Sequence, residues 1–174
     1  PQGGPLSPLL ANVLLDTVDK TLERRGHCFV RYADDCNVYV RSKRAAERVM
    51  EGLVGLSAGL KLRVNVSKSA VALAWERSFL GYSFWVTETA IIKRRVAPKA
   101  LITLKARIRD MTSRSGGRNF AQVVAALRRY LPGWKAYFRL AETPSALARV
   151  DQWLRRRLRT LIVKQSKRGT TLFR

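Results

Sequence analysis

The sequence predicts an α+β chain: a mixed α and β part over residues 1–96, then an all-helical, strongly basic part over residues 97–174. Three observations predict it. Strand-like runs rich in β-branched and aromatic residues occur only before residue 97, and helical spacing dominates from Pro98 onward. Charge divides at the same place, with 12 Lys+Arg against 9 Asp+Glu in residues 1–92 and 22 against 3 in residues 93–174. An apolar share of 47% over 174 residues suffices for a real core.

Ser7-Pro8 reads as a helix start, a hydroxyl cap followed by proline at the first helical position. Leu9, Leu10, Val13, Leu14, Val18 and Leu22 then form one apolar stripe, with Asp16, Asp19, Lys20 and Glu23 opposite, and Gly26 ends the helix. Cys28–Tyr32 and Cys36–Val40 read as two strands of a hairpin with Ala33-Asp34-Asp35 between them. Ser42 caps a helix that runs to Leu56 or Ala58, with Gly59 as its stop. Leu60–Val64 and Ala70–Leu73 read as short strands, and Phe79–Val86 and Ile91–Val96 as a second hairpin through Thr87-Glu88-Thr89.

The helices of the second part span 98–112, then Asn119 (as cap) to Leu131, then a short aromatic helix with Trp134, Tyr137 and Phe138, and last Thr143-Pro144 to Lys164. A loop covers Ser113–Gly117, and Pro132-Gly133 is expected to break the second helix. Leu127, Leu131, Trp134 and Phe138 fall on one stripe and are expected in the core.

Several function classes are disfavoured. No apolar run approaches a membrane span. Cys28 and Cys36 are too few for a disulfide framework or a zinc site and read as reduced, buried thiols. His27 is the single histidine, so histidine-based zinc chemistry and a Ser-His-Asp triad are poor fits. A segment with a net charge of +19 repels itself unless a polyanion is near, and nucleic acid is the partner it fits, ahead of an anionic membrane.

Asp34 and Asp35 are the residues with the clearest chemistry. Mg²⁺ takes hard oxygen ligands, often one or two carboxylates plus phosphate and water. Polymerase-type phosphoryl transfer uses two such ions about 3.5–4 Å apart. Asp also favours turns for local reasons, so the pair taken alone is weak evidence.

The surrounding residues strengthen it. Tyr32-Ala33-Asp34-Asp35, within Phe29-Val30-Arg31-Tyr32-Ala33-Asp34-Asp35, resembles the Y-x-D-D box of group II intron reverse transcriptases. Pro1-Gln2-Gly3 with Ser7-Pro8 is similar to the family's P-Q-G-x-x-x-S-P box, Lys68 to the lysine of its next motif, and Phe79-Leu80-Gly81-Tyr82 to its primer grip. Tyr130–Phe138 and Trp153–Arg159 resemble its maturase-type thumb. The resemblance covers nearly the whole chain. It implies a reverse-transcriptase palm, in part, over 1–96 and a helical RNA-binding thumb over 97–174.

The same resemblance implies roles. Asp34 is the best metal ligand and Asp35 supports the site. Gln2, Gly3, Ala33 and Lys68 contact nucleotide or template, and Leu80, Gly81 and Tyr82 position the primer. Tyr137, Arg155, Arg156 and Arg157 are the RNA-contact candidates. Two Mg²⁺ ions complete the active site. The implied partners are intron RNA, an RNA template with DNA primer, and deoxynucleotide triphosphates, in a cytoplasmic, bacterial-type setting without a membrane. The family's first catalytic aspartate and its basic fingers lie upstream of the P-Q-G box. With its non-methionine start, the chain is therefore read as a piece of something longer, and it is expected to be inactive alone. A non-catalytic RNA-binding splicing cofactor or RNA chaperone, and a retron-type reverse transcriptase, are the competing readings; the thumb signature disfavours the last.

Overall fold

A computed structural model describes residues 4–113 and 117–165. The chain divides into two compact units, Pro1–Ala74 and Trp75–Arg174.

The first unit holds α1 (Ser7–Arg24), β1 (Cys28–Tyr32), β2 (Asp35–Tyr39) and α2 (Lys43–Gly59). Pro8 sits in the first turn of α1, where its missing N–H costs nothing. Ser7 is itself helical, Leu6 holds the cap position, and no side chain caps the helix, contrary to the expected Ser7 cap. Gly26, at φ 68°, turns the chain out of α1 as expected. Only the C-terminal half of the apolar stripe is covered: Val18 and Leu22 are buried, whereas Leu9, Leu10 and Val13 stay exposed. The hairpin and α2 pack against α1, and β2 also packs on α2.

Ser42 does cap α2, its side chain accepting from the Ala45 amide at 3.2 Å. Gly59 is the last helical residue rather than the stop. Lys61 takes the left-handed position instead (φ 58°), and the amides of Lys61 and Leu62 bond back to the carbonyls of Ala58 and Ser57. That tie explains why Leu60–Val64 is not a strand: its first residues serve to close the helix. Ala70–Leu73 is not a strand either: among the described residues it joins neither of the two sheets.

The second unit holds β3 (Ser78–Phe79), β4 (Tyr82–Val86), β5 (Ile92–Val96), α3 (Pro98–Met111), α4 (Phe120–Tyr137) and α5 (Pro144–Gln165). The three strands form an antiparallel sheet in the order β3-β4-β5. Phe79–Val86 is thus two strands, because Leu80 and Gly81 both adopt positive φ (51° and 79°) and reverse the chain. The expected turn after β4 is present, closed by the Thr87 amide on the Ile91 carbonyl at 2.9 Å.

The helices enclose a core of Leu104, Ile108, Met111, Val123, Leu127, Val150, Leu154 and Leu161. Asn119 and Gln122 form a reciprocal capping box at the start of α4. The expected break at Pro132-Gly133 does not occur, and α4 runs through to Tyr137. An internal proline costs about 3 kcal/mol. Leu127 before it is buried, and Leu131 and Trp134 pack on the same core. Each such side chain contributes about 1.5–3 kcal/mol on full burial, enough to keep the helix whole. The core stripe expected of Leu127, Leu131, Trp134 and Phe138 is found. Of the expected Ser113–Gly117 loop, 114–116 lie outside the described residues.

β5 has a free edge, and Glu142, between α4 and α5, covers it. Its amide donates to the Arg94 carbonyl at 2.8 Å, and its Oε2 accepts from the Arg94 amide at 2.9 Å and from Arg94 Nε at 3.1 Å. The Arg94 backbone amide, then its guanidinium, holds the Glu142 carboxyl below its ordinary pKa. A depressed carboxylate pKa adds stability that is present above the ordinary value and is lost as pH falls through the folded-state value. Melting curves of wild type and Glu142→Gln are therefore expected to differ near pH 7 and to converge as pH falls below about 4. A gap that is constant with pH would remove the carboxylate from this account.

Candidate functional site

Strands β1 and β2 pair from Cys28↔Tyr39 to Tyr32↔Asp35, which leaves Ala33-Asp34 as a two-residue turn. Ala33 has φ 53°, a left-handed conformation that a residue with a Cβ adopts at a cost of about 1–2 kcal/mol. Something must hold it there. Arg31 Nη1 donates to the Ala33 carbonyl and to Asn12 Oδ1, each at 2.9 Å. The same guanidinium grips Asp19 of α1, with Nε to Oδ1 at 2.8 Å and Nη2 to Oδ2 at 2.5 Å. The Arg31 and Asp19 side chains are only 13% and 20% exposed. One side chain thus ties the turn to α1.

Strand alternation sets what the hairpin shows. Directly paired residues share a face, so Asp35 lies with Tyr32 and Val30 on the outward side, where all three are exposed. Arg31 and Cys36 share the inner side. Asp34, in the turn, is exposed as well. The structure therefore brings Ala33, Asp34 and Asp35 together at one solvent-facing tip. Hard oxygen donors of this kind suit Mg²⁺, which takes the rest of its shell from phosphate and water. Among the described residues no group of three or more His, Cys, Asp or Glu forms a metal cluster.

Lys68 is exposed in a turn, where its amide donates to Asn65 O at 3.1 Å and Asn65 Oδ1 also takes the Ser67 hydroxyl. Gln2 and Gly3 lie outside the described residues. The cysteines depart from expectation: Cys28 is exposed and only Cys36 is half-buried, and burial, with the nearby Asp19 carboxylate, pushes its thiol pKa up. A five-residue strand with one face open to solvent cannot bury both parities.

In the second unit, Leu80 and Gly81 form the β3–β4 turn, Tyr82 opens β4 beside it, and the end of α4 locks the turn. Tyr82 Oη donates to the Tyr137 carbonyl at 2.5 Å, and Tyr137 Oη donates to the Leu80 carbonyl at 3.0 Å. Gly81 has φ 79°, and a Cβ there would stand 3.0 Å from the Phe138 ring, so a side chain would strain the backbone and press on that ring. Tyr137 keeps an exposed ring although its hydroxyl is engaged.

Arg155, Arg156 and Arg157 of α5 diverge. Arg155 pairs with Asp151 at 2.8 Å, and Arg156 is exposed. Arg157 turns inward, with Nε on Thr112 Oγ1 at 2.8 Å at the end of α3. Sequence alone groups them as one run, and nothing in it marks Arg31, Asp19 or Asn12 as supports of the turn beyond one signal for Arg31, a charged residue at the same strand parity as Phe29.

An acidic hairpin tip and a strongly basic helical unit define an α+β protein that handles nucleic acid. Residues 1–84 match the family described as reverse transcriptase (RNA-dependent DNA polymerase), and residues 101–174 match the group II intron, maturase-specific domain. Together the two matches support a group II intron reverse transcriptase/maturase. A search of the curated proteins finds no match. Reverse transcriptases use divalent metals, and the two matches imply nucleic-acid partners. Among the described residues no helix is long and apolar enough to cross a membrane.

Proposed function

We propose that Asp34 and Asp35 are the metal-binding carboxylates of RNA-templated DNA synthesis, and that residues 97–174 act as a helical thumb that binds intron RNA during splicing. The observation that carries the first part is the two-carboxylate turn held at a strained backbone by Arg31. Turn chemistry alone would favour Asn or Gly where Ala33 stands. A small side chain there leaves room for a growing strand to pass the carboxylates. When bound, Mg²⁺ would activate the attacking hydroxyl and neutralise charge on the leaving pyrophosphate. Asp34 is the principal ligand and Asp35 assists it. Gln2, Gly3 and Lys68 contact nucleotide or template, and the Leu80-Gly81-Tyr82 turn seats the primer end. Residues 1–96 then serve as palm and 97–174 as thumb. The partners are intron RNA, a primed RNA template and deoxynucleotide triphosphates.

The charge of residues 93–174, 22 basic against 3 acidic, supports the second part. Binding through phosphates releases counterions, so affinity should fall with salt by about 0.7–0.9 per contact on a log–log scale. Replacing Arg155 and Arg156 by Ala, with Arg157 kept because it holds the end of α3, should lower that slope by about 1.4–1.8. The measurement is fluorescence anisotropy of a labelled intron RNA across a potassium chloride series. Salt-independent affinity would count against RNA binding by this region. Whether cDNA yield on a primed RNA template depends on Asp34 tests the first part.

A further inference from the structure

Trp153 of α5 is half-buried and is met by three cations. Lys105 Nζ lies 6.0 Å from its ring centroid, and the guanidinium carbons of Arg109 and Arg157 each lie 5.4 Å from it. Arg157 has a structural use, since it bonds Thr112 at the C-terminal end of α3, where a cation is favoured. Lys105 and Arg109 do not have such a use. They stand one turn apart on α3, and among the described residues neither side chain makes an ion pair or a hydrogen bond. The acids of these helices are engaged elsewhere, Asp110 with Arg107 and Asp151 with Arg155.

Three like charges stand within 6.0 Å of one ring centroid, where mobile salt screens their repulsion only in part. A cation–π contact at such an exposed site contributes about 0.5–1 kcal/mol, which sets orientation but does not neutralise charge. The arrangement is complete when an anion bridges Lys105 and Arg109. Ile102, three residues before Lys105 and 66% exposed, supplies an apolar surface beside them. A cationic pair next to an aromatic and an aliphatic surface suits a single RNA strand, with its phosphate on the cations and its base or ribose on the apolar side.

We infer that Lys105 and Arg109, oriented by Trp153, form a phosphodiester-binding site for single-stranded RNA on α3 and α5, separate from the Arg155–Arg156 surface. The inference rests on the reading of the helical region as RNA-binding. Its test uses the whole 174-residue chain and a fluorescein-labelled oligouridylate of about 20 nucleotides, a length that covers one or more single-strand sites. Lys105→Gln/Arg109→Gln keeps two good helix formers and removes two weak cation–π contacts, so it should stay folded and melt only slightly below wild type. Its log–log salt slope should fall by about 0.7, the one single-strand phosphate that the pair holds. Lys43→Gln/Arg44→Gln removes the same charge from the first unit and should leave the slope unchanged. A steep wild-type slope that the Lys105/Arg109 change does not alter, or that the Lys43/Arg44 change lowers equally, overturns this site and leaves RNA binding by the region standing. A wild-type chain with no salt-dependent affinity for the probe overturns both.

Discussion

Asp34→Asn is expected to cut DNA synthesis by about 100-fold or more while leaving RNA binding and assisted splicing near normal. Losing one positioned electrostatic partner of the transition state costs about 10²–10³ in rate, and a metal ion supplies several kcal/mol of such stabilisation. Asn preserves the size and turn preference of Asp but not its charge, and an amide oxygen is the poorer ligand. Asp34 is exposed in a two-residue turn that Arg31 holds through the Ala33 carbonyl, so the substitution should leave the hairpin folded. The basic helices belong to the other compact unit. The assay uses the protein in a form that extends a primed RNA template before substitution. Two readings are taken from one preparation: cDNA on a primed RNA template, and splicing rate at limiting Mg²⁺. Surviving cDNA synthesis would make Asp34 a turn residue and leave the RNA-binding cofactor reading in its place. A joint loss of both activities in a folded protein would mean that the two surfaces are not separable.

Much of this arrangement was legible in the sequence because local chemistry decides it. Ser42 and Asn119 cap helices, Pro98 and Pro144 open them, and the alternation on either side of Ala33-Asp34-Asp35 gives a hairpin. Two of the failures have one cause: neighbours distant in sequence overrode a local signal. Pro132 sits inside α4 because buried residues on its flanks hold the helix together. Gly81 sits in a turn, not a strand, because the end of α4 closes over it through Tyr137 and Phe138. Leu60–Val64 alternates as a strand does, but without a partner its first residues close α2 instead. The carboxylate pair was readable as a motif. The residues that hold it were not, since Asp19 and Asn12 look like ordinary polar positions on α1 until the hairpin folds over them.

That hold is the second large effect. Arg31→Ala should cost about 2–3 kcal/mol, less than the 3–5 of a fully buried pair because Arg31 and Asp19 keep 13% and 20% exposure. Asp19 would be left without its partner, and the Ala33 carbonyl without the donor that offsets its left-handed backbone. A loss of activity in this variant could come from unfolding alone, so Arg31→Lys is the informative change. Lysine keeps the charge facing Asp19, but an ammonium lacks the planar fork that here reaches Asp19, Asn12 and Ala33 together. The loss of one or two hydrogen bonds should lower stability by about 1 kcal/mol. DNA synthesis should fall further than that, by about tenfold, because a misplacement of about 1 Å at the carboxylates is costly to the reaction. The deficit should appear in kcat rather than in the nucleotide KM, and added Mg²⁺ should recover part of it, as expected of a displaced metal ligand set. RNA affinity should not change. An Arg31→Lys protein that melts lower yet polymerises at the wild-type rate would show that the guanidinium stabilises the hairpin without positioning Asp34.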